Sequence, residues 1–233
     1  MRSPDQIEKI KSHISAPYSI EDFISQSEID YLIKLYRTNS QTEKKTGVNV
    51  LGIENLLDDS VISGILKKIE KEIGLFEVTA GLFFYATYPH IIHNDDTYQL
   101  PENVYKAISI TLEIEGQFTD FPRLCLFDQF YFHGPAKFFN GDTGGLTEYN
   151  TNVYEYSKVN NVVDTALVEG EEYLTHLKPM WYKGLSLQST FKQRPGTAVI
   201  FDSTQLHCSS DFRKLGITGK LGLSIFTKKN DKQ

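Results

Sequence analysis

Apolar positions recur at helical spacing in the first third of the chain and at strand spacing after it. Ile29, Leu32, Ile33 and Tyr36 follow one another at i, i+3, i+4 and i+7, which lays one apolar stripe along a helix. Ser25 and Glu28 stand just ahead of that stripe. The serine hydroxyl can accept from the Glu28 amide while the Glu28 side chain reaches back, so the helix is predicted to start there. A second stripe, Ile62, Ile65, Leu66, Ile69 and Ile73, predicts a helix from about Asp58 to Ile73, and Gly74 suits the left-handed position that ends it. A shorter helix is expected over Pro4 to Ile14, stopping before Ala16-Pro17 because the residue before a proline avoids the helical region. Both stripes read as core-facing surfaces without chemistry of their own.

Beyond Gly74 the pattern shortens. Leu75 to Tyr88 is rich in Phe, Tyr, Val and Thr, and Tyr105 to Glu115 alternates apolar and polar residues, with Ala107 out of step. Arg123 to His133 is aromatic and apolar, and Thr197 to Phe201 and Leu221 to Phe226 are short strand candidates. Gly116, Pro122, Gly134-Pro135, Pro195-Gly196 and Gly216 punctuate them as turns. Helices followed by closely spaced strands predict one α+β domain over residues 1–233. Residues 1–74 are its helical support and 75–233 a β-sandwich or jelly-roll body. Residues 138–187 break the pattern and are read as an insertion into that body. Its Gly141 to Gly145 run reads as a turn, a short helix is expected near Thr165 to His176, and Tyr154, Tyr156, Trp181 and Tyr182 favour partial order. A segment of this length with weak periodicity belongs either to a functional lid or to a disordered loop.

Composition narrows the class. The chain has 233 residues, is 40% hydrophobic and 23% charged, and carries a formal net charge of −6, which fits a globular protein with a real core. The acidic total argues against a nucleic-acid partner held by bulk electrostatics. No apolar run is long enough to span a bilayer, and the MRSPDQIEKIK start has charges where a signal peptide needs an apolar stretch, so a cytoplasmic protein is expected. Two cysteines, Cys125 and Cys208, are too few for a disulfide scaffold. There is no G-x-S-x-G elbow, P-loop, G-x-G-x-x-G or paired C-x-x-C. The sequence is silent on oligomeric state.

The candidate chemistry lies at two distant points. His93 and Asp95 follow the Gly81 to Tyr88 strand, and His207 lies five residues after Asp202, at the end of a strand that follows a Pro-Gly turn. Residues i and i+2 of a strand point the same way, so His93 and Asp95 can grip one ion, and His207 could complete the set. Two imidazoles and one carboxylate leave positions open for other ligands, which suits non-haem Fe(II). Asp96 competes with Asp95 but should face away from His93 by alternation. His90 does not fit i, i+2 geometry and reads as structural or, at most, as a support behind the ligands. His133 and His176 read as surface or loop residues, and Cys208 as a small buried thiol.

These residues and their frame resemble the Fe(II)- and 2-oxoglutarate-dependent dioxygenases, in particular the prolyl-4-hydroxylase-like branch. The resemblance runs over about Tyr85 to Phe226 outside the insertion, and rests on the H-x-D at His93 and Asp95, the P-G-x-x-x-x-F strand before His207, and a basic residue on the following strand. The F-I-S-Q-S-E-I-D-Y-L-I helix also looks like the family's first helix. The resemblance implies a double-stranded β-helix with Fe(II) at its mouth, 2-oxoglutarate chelating the iron, O2 as oxidant and hydroxylation of a C–H bond. It implies a basic residue for the far carboxylate of 2-oxoglutarate. Lys220, thirteen residues after His207, matches that position best, and Arg213, in the connecting loop, ranks second. Tyr85 is a candidate donor to the same carboxylate, and Trp181 and Tyr182 of the insertion are candidates either for substrate contacts or for core filling. The substrate would be a small molecule or a peptide or amino-acid side chain. Two rivals stand beside this reading: a metal-dependent cupin-type enzyme of another reaction class, and a jelly-roll binding module without catalysis.

Overall fold

The two apolar stripes form helices where their spacing places them. In the computed structural model, which describes residues 2–40, 48–96, 104–132, 134, 154–155, 170–182 and 185–230, α1 covers Pro4–Lys11, α2 Gln26–Asn39 and α3 Ser60–Ile73. The α2 capping box is present: the Glu28 amide donates to Ser25 Oγ at 3.4 Å and the Ser25 amide to Glu28 Oε2 at 2.7 Å. Asp59 caps α3 by accepting from the Val61 and Ile62 amides, and Gly74 ends it at φ +78°. α1 stops short of Ile14, where the Ser12 hydroxyl turns back to the Lys9 carbonyl.

The strands form two antiparallel sheets. β1 (Tyr18–Ile20), β2 (Val48–Gly52), β3 (Phe76–Ala86), β4 (Val104–Gly116), β8 (Ala198–Asp202) and β10 (Ile217–Lys229) make a large sheet in the order β1-β8-β4-β10-β3-β2. In the small sheet β5 (Arg123–Phe130) is flanked by β7 (Leu187–Lys192) and β9 (Gln205–Ser209), with β6 (Tyr154–Glu155) pairing its far end. β10 runs well past the Leu221 to Phe226 core because β3 and β4 pair both its edges.

Both faces of the large sheet are covered. On the outer face Phe83, Ile108, Ile110, Ile200 and Leu223 pack against Leu32 of α2 and Ile62, Ile65 and Ile69 of α3. On the inner face Ala107, Val199, Phe201 and Phe226 meet Leu124, Leu126 and Phe191 of the small sheet. Ala107 breaks the simple alternation of β4 because it belongs to this inner layer and not to a solvent face. The outer face of the small sheet, with Cys125, Phe127, Leu206 and Cys208, is covered by Leu174, Leu177, Tyr182 and Leu185.

Most of the 138–187 insertion, including the Gly141 to Gly145 run and residues 165–169 of the expected helix, lies outside the described residues, as does His133. Its described end holds a 3-10 turn at Glu171–Tyr173 and the short α4 at Pro179–Tyr182. Among the described residues no helix is long and apolar enough to cross a membrane.

Candidate metal centre

Backbone bonds hang the H-x-D segment on β9. His93 forms a single antiparallel bridge with His207: its amide donates to the His207 carbonyl at 2.9 Å, and the His207 amide returns to the His93 carbonyl at 2.8 Å. Two residues on, the Asp95 amide donates to the Ser203 carbonyl in the β8–β9 turn at 2.8 Å. The ligand atoms of His93, Asp95 and His207 consequently all lie within 4.8 Å of one another. His93 Nε2 is 3.5 Å from Asp95 Oδ1, and His207 Nε2 is 3.3 Å from Asp95 Oδ2.

The hydrogen bonds on the far side of each ring fix which nitrogen carries the proton. His93 Nδ1 faces the Ile91 carbonyl at 2.8 Å, and His207 Nδ1 the Gln205 carbonyl at 3.0 Å. A carbonyl only accepts, so in its neutral form each ring carries its proton on Nδ1 and leaves the Nε2 beside Asp95 with a lone pair. Burial, reinforced by neighbouring His93 and opposed by Asp95, pushes His207 down to about 4, so its ring is neutral near pH 7. Two imidazole nitrogens and a carboxyl group this close together form a donor set that suits a cation.

The competing residues fall elsewhere. Asp96 is buried and faces away, gripped by the Arg2 guanidinium, which bonds its Oδ1 at 2.8 Å and also donates to the Phe132 carbonyl at 2.9 Å. Asp202 pairs with Lys106 at 2.7 Å and accepts from the Ser15 amide. Cys208 sits opposite Cys125 in register on the outer face of the small sheet, and burial pushes its thiol up. His176, expected at the surface or in a loop, lies in a turn and is half-buried, with Nε2 3.4 Å from the His90 carbonyl.

Lys220 points between the sheets. It shares a strand face with Phe226 of the inner layer, lies 7% exposed, and donates from Nζ to Gln193 Oε1 at 2.7 Å. Among the described residues no carboxylate pairs with this ammonium, and burial pushes Lys220 down to about 8. Gln193 is a residue that sequence reasoning missed, although its place two after Phe191 puts it on the inner side. Arg213 is exposed, with its guanidinium 4.5 Å over the Tyr88 ring.

One expectation needs correction, and one pair of alternatives is decided. Tyr85 is on the other face of the sheet from Lys220: it pairs in register with Leu221, packs in the helix-side layer and donates to Glu115 Oε2 at 2.9 Å. Burial, with Glu115 beside it, pushes this phenol up to about 12. The alternation of β3 turns Phe84 and Ala86 inward instead. Tyr182 is a core filler: it is buried beneath the small sheet and donates to Glu171 Oε1 at 2.5 Å, and Trp181 packs against the same cluster. That cluster contains Leu206 and Cys208, which alternate with His207, so both aromatics lie behind the ligand-bearing face of β9.

No protein-family model and no curated protein matches this chain. Solved structures do match. HygX from Streptomyces hygroscopicus, with nickel and 2-oxoglutarate bound, is similar over 99% of this chain and 88% of its own, at 10% identity and TM-score 0.51. The epimerase SnoN, in complex with Fe3+, alpha ketoglutarate and nogalamycin RO, is similar over 97% and 85%, at 10% identity and TM-score 0.51. EvdO2 from Micromonospora carbonacea var. aurantiaca is similar over 98% and 91%, at 13% identity and TM-score 0.51. At such identities the likeness is one of architecture. The two facing antiparallel sheets form the double-stranded β-helix fold that this chain shares with these structures.

Proposed function

We propose that the protein is a non-haem Fe(II), 2-oxoglutarate-dependent oxygenase that hydroxylates a small molecule or a peptide side chain. The convergence of His93, Asp95 and His207 carries the reading. Iron with 2-oxoglutarate and O2 would supply the oxidising chemistry. The chain's own residues supply placement. The Ile91 and Gln205 carbonyls hold both imidazoles with Nε2 toward the ion, so no proton need leave them for the ion to bind. The Phe201 ring packs edge-on to His207 at 4.6 Å and gives that ligand an apolar wall.

Lys220 supports the oxo-acid assignment. A buried ammonium with a glutamine oxygen as its partner is costly, and an incoming carboxylate offsets that cost. Gln193 orients the ammonium for it. The substrate class draws on the acidic charge of the chain, which disfavours nucleic acid, and on a neighbour of the same architecture that holds nogalamycin RO. That neighbour is an epimerase, so the product decides the reaction: a hydroxylase product gains one oxygen atom and an epimerised one gains none.

Anaerobic protein given Fe(II) and 2-oxoglutarate should bind one iron per chain and develop a weak visible charge-transfer band, and admission of O2 should yield succinate. Folded protein that shows neither band nor succinate overturns the proposal.

A further inference from the structure

We propose that Arg2 is a positioning residue of this centre, which fixes the metal ligand Asp95 by clamping its neighbour Asp96. The inference rests on the metal reading above. Side chains alternate along the H-x-D segment: His93 and Asp95 face the ion's position, and Asn94 and Asp96 face away from it. The two outward side chains are both buried and both anchored. Asn94 Nδ2 donates to the Tyr131 carbonyl at 3.2 Å and to the Gly134 carbonyl at 3.0 Å. Asp96 offers both carboxylate oxygens to the Arg2 fork: Nη2 reaches Oδ1 at 2.8 Å, while Nη1 donates to Oδ2 and to the Phe132 carbonyl.

Arg2 is itself held. It stands one residue before Ser3, the N-cap of α1, and its side chain is 11% exposed. α1 lies on the same 130–132 stretch: Ile10 packs with Val104, Phe130 and Phe132, and Lys11 Nζ stands 5.7 Å over the Phe132 ring. The Tyr131 amide in turn donates to the Thr204 carbonyl at 2.8 Å, next to the Ser203 carbonyl that takes the Asp95 amide. Asp95 therefore hangs from a frame that Arg2 secures on its C-terminal side. Without the guanidinium, the fully buried Asp96 carboxylate loses its countercharge and turns toward water, and the adjoining Asp95 turns with it. The sign separates this role from simple electrostatics. As a positive charge alone Arg2 would repel the ion, and its removal would tighten binding. As a positioning residue, its removal weakens binding.

The test uses Co(II), titrated into the metal-free full chain at one neutral pH and followed by calorimetry and by visible absorption. Arg2→Met should bind Co(II) about 10- to 100-fold more weakly than the parent, with an altered visible spectrum at saturation. Arg2→Lys keeps the charge but not the fork, and should fall between the two. Unchanged or tighter binding by either variant overturns the proposal, and Arg2→Lys carries the test alone if thermal melts show Arg2→Met unfolded. Ile69→Ala, in the helix-side core, is the control: it should lower the melting temperature and leave Co(II) affinity and spectrum as in the parent. Equal weakening in that variant would make the effect one of stability, and would also overturn the proposal. Parent protein that binds no Co(II), or a His93→Ala variant that binds as well as the parent, would instead sink the metal reading itself.

Discussion

Tyr85 and Lys220 sit on neighbouring strands of one sheet, yet they belong to different worlds. Tyr85, paired with Leu221, looks out into the layer that Leu32, Ile62 and Ile65 fill. Lys220, one residue before Leu221, looks in toward Gln193 and the inner layer. The outer face is closed by apolar side chains and holds the fold. The inner face keeps a buried ammonium that a core of the same size would not need. One step along β10 separates stability from chemistry, because successive side chains in a strand alternate between faces.

The outer face gives the largest expected energetic effect. Ile110 is fully buried between Leu223 and Ala198 in register, so Ile110→Ala should cost about 2–5 kcal/mol of unfolding free energy, measured by urea titration, and leave the KM for 2-oxoglutarate unchanged. A rise in KM with unchanged stability would mean the two faces are not separable. Lys220→Met should do the reverse. Removing the charge-assisted bond should raise the 2-oxoglutarate KM by about 10- to 100-fold, while the apolar replacement leaves the melting temperature unchanged or higher. If KM stays flat, the exposed Arg213 becomes the better carboxylate partner.

The same lysine makes the contrast depend on pH. Burial holds Lys220 at about 8, so it is charged below that pH and loses its proton above it. The 2-oxoglutarate KM should therefore be level around neutral pH and climb, by up to about tenfold per unit, as pH passes about 8. Lys220→Met should abolish the climb. A parent profile that is flat to pH 9 would assign the ammonium to structure alone.

Much of the site could be read before the fold was known, and the misreadings share a cause. The convergence of His93, Asp95 and the distant His207 was legible because the ligation proposed for them demands particular side chains at a spacing a strand can supply. Tyr85 was misplaced because Phe83, Phe84, Tyr85 and Ala86 form an unbroken apolar run. A strand covered on both faces erases the alternation that would tell in from out, and only its pairing with β10 restores it. Ala107 looked irregular for the same reason. His90 does not fit i, i+2 geometry, and the irregular residues 87–92 set its ring edge-on against that of His93, in keeping with a supporting place. Gln193 gave no sign of its role, since a glutamine before Arg194-Pro195-Gly196 reads as ordinary turn sequence until Lys220 is seen against it.

The smallest expected effect sharpens the comparison most. Tyr85→Phe removes one hydroxyl, and with it the 2.9 Å bond to Glu115, while keeping the ring that packs with the helices. A bond from a buried tyrosine to a carboxylate nets about 1.5 kcal/mol, so the variant should be slightly less stable by urea titration. Its KM for 2-oxoglutarate should match the parent, because the lost hydroxyl lies on the far side of the sheet from Lys220. A clear rise in KM would mean instead that the Tyr85–Glu115 bond is felt through the sheet at Lys220, and that the two faces are coupled.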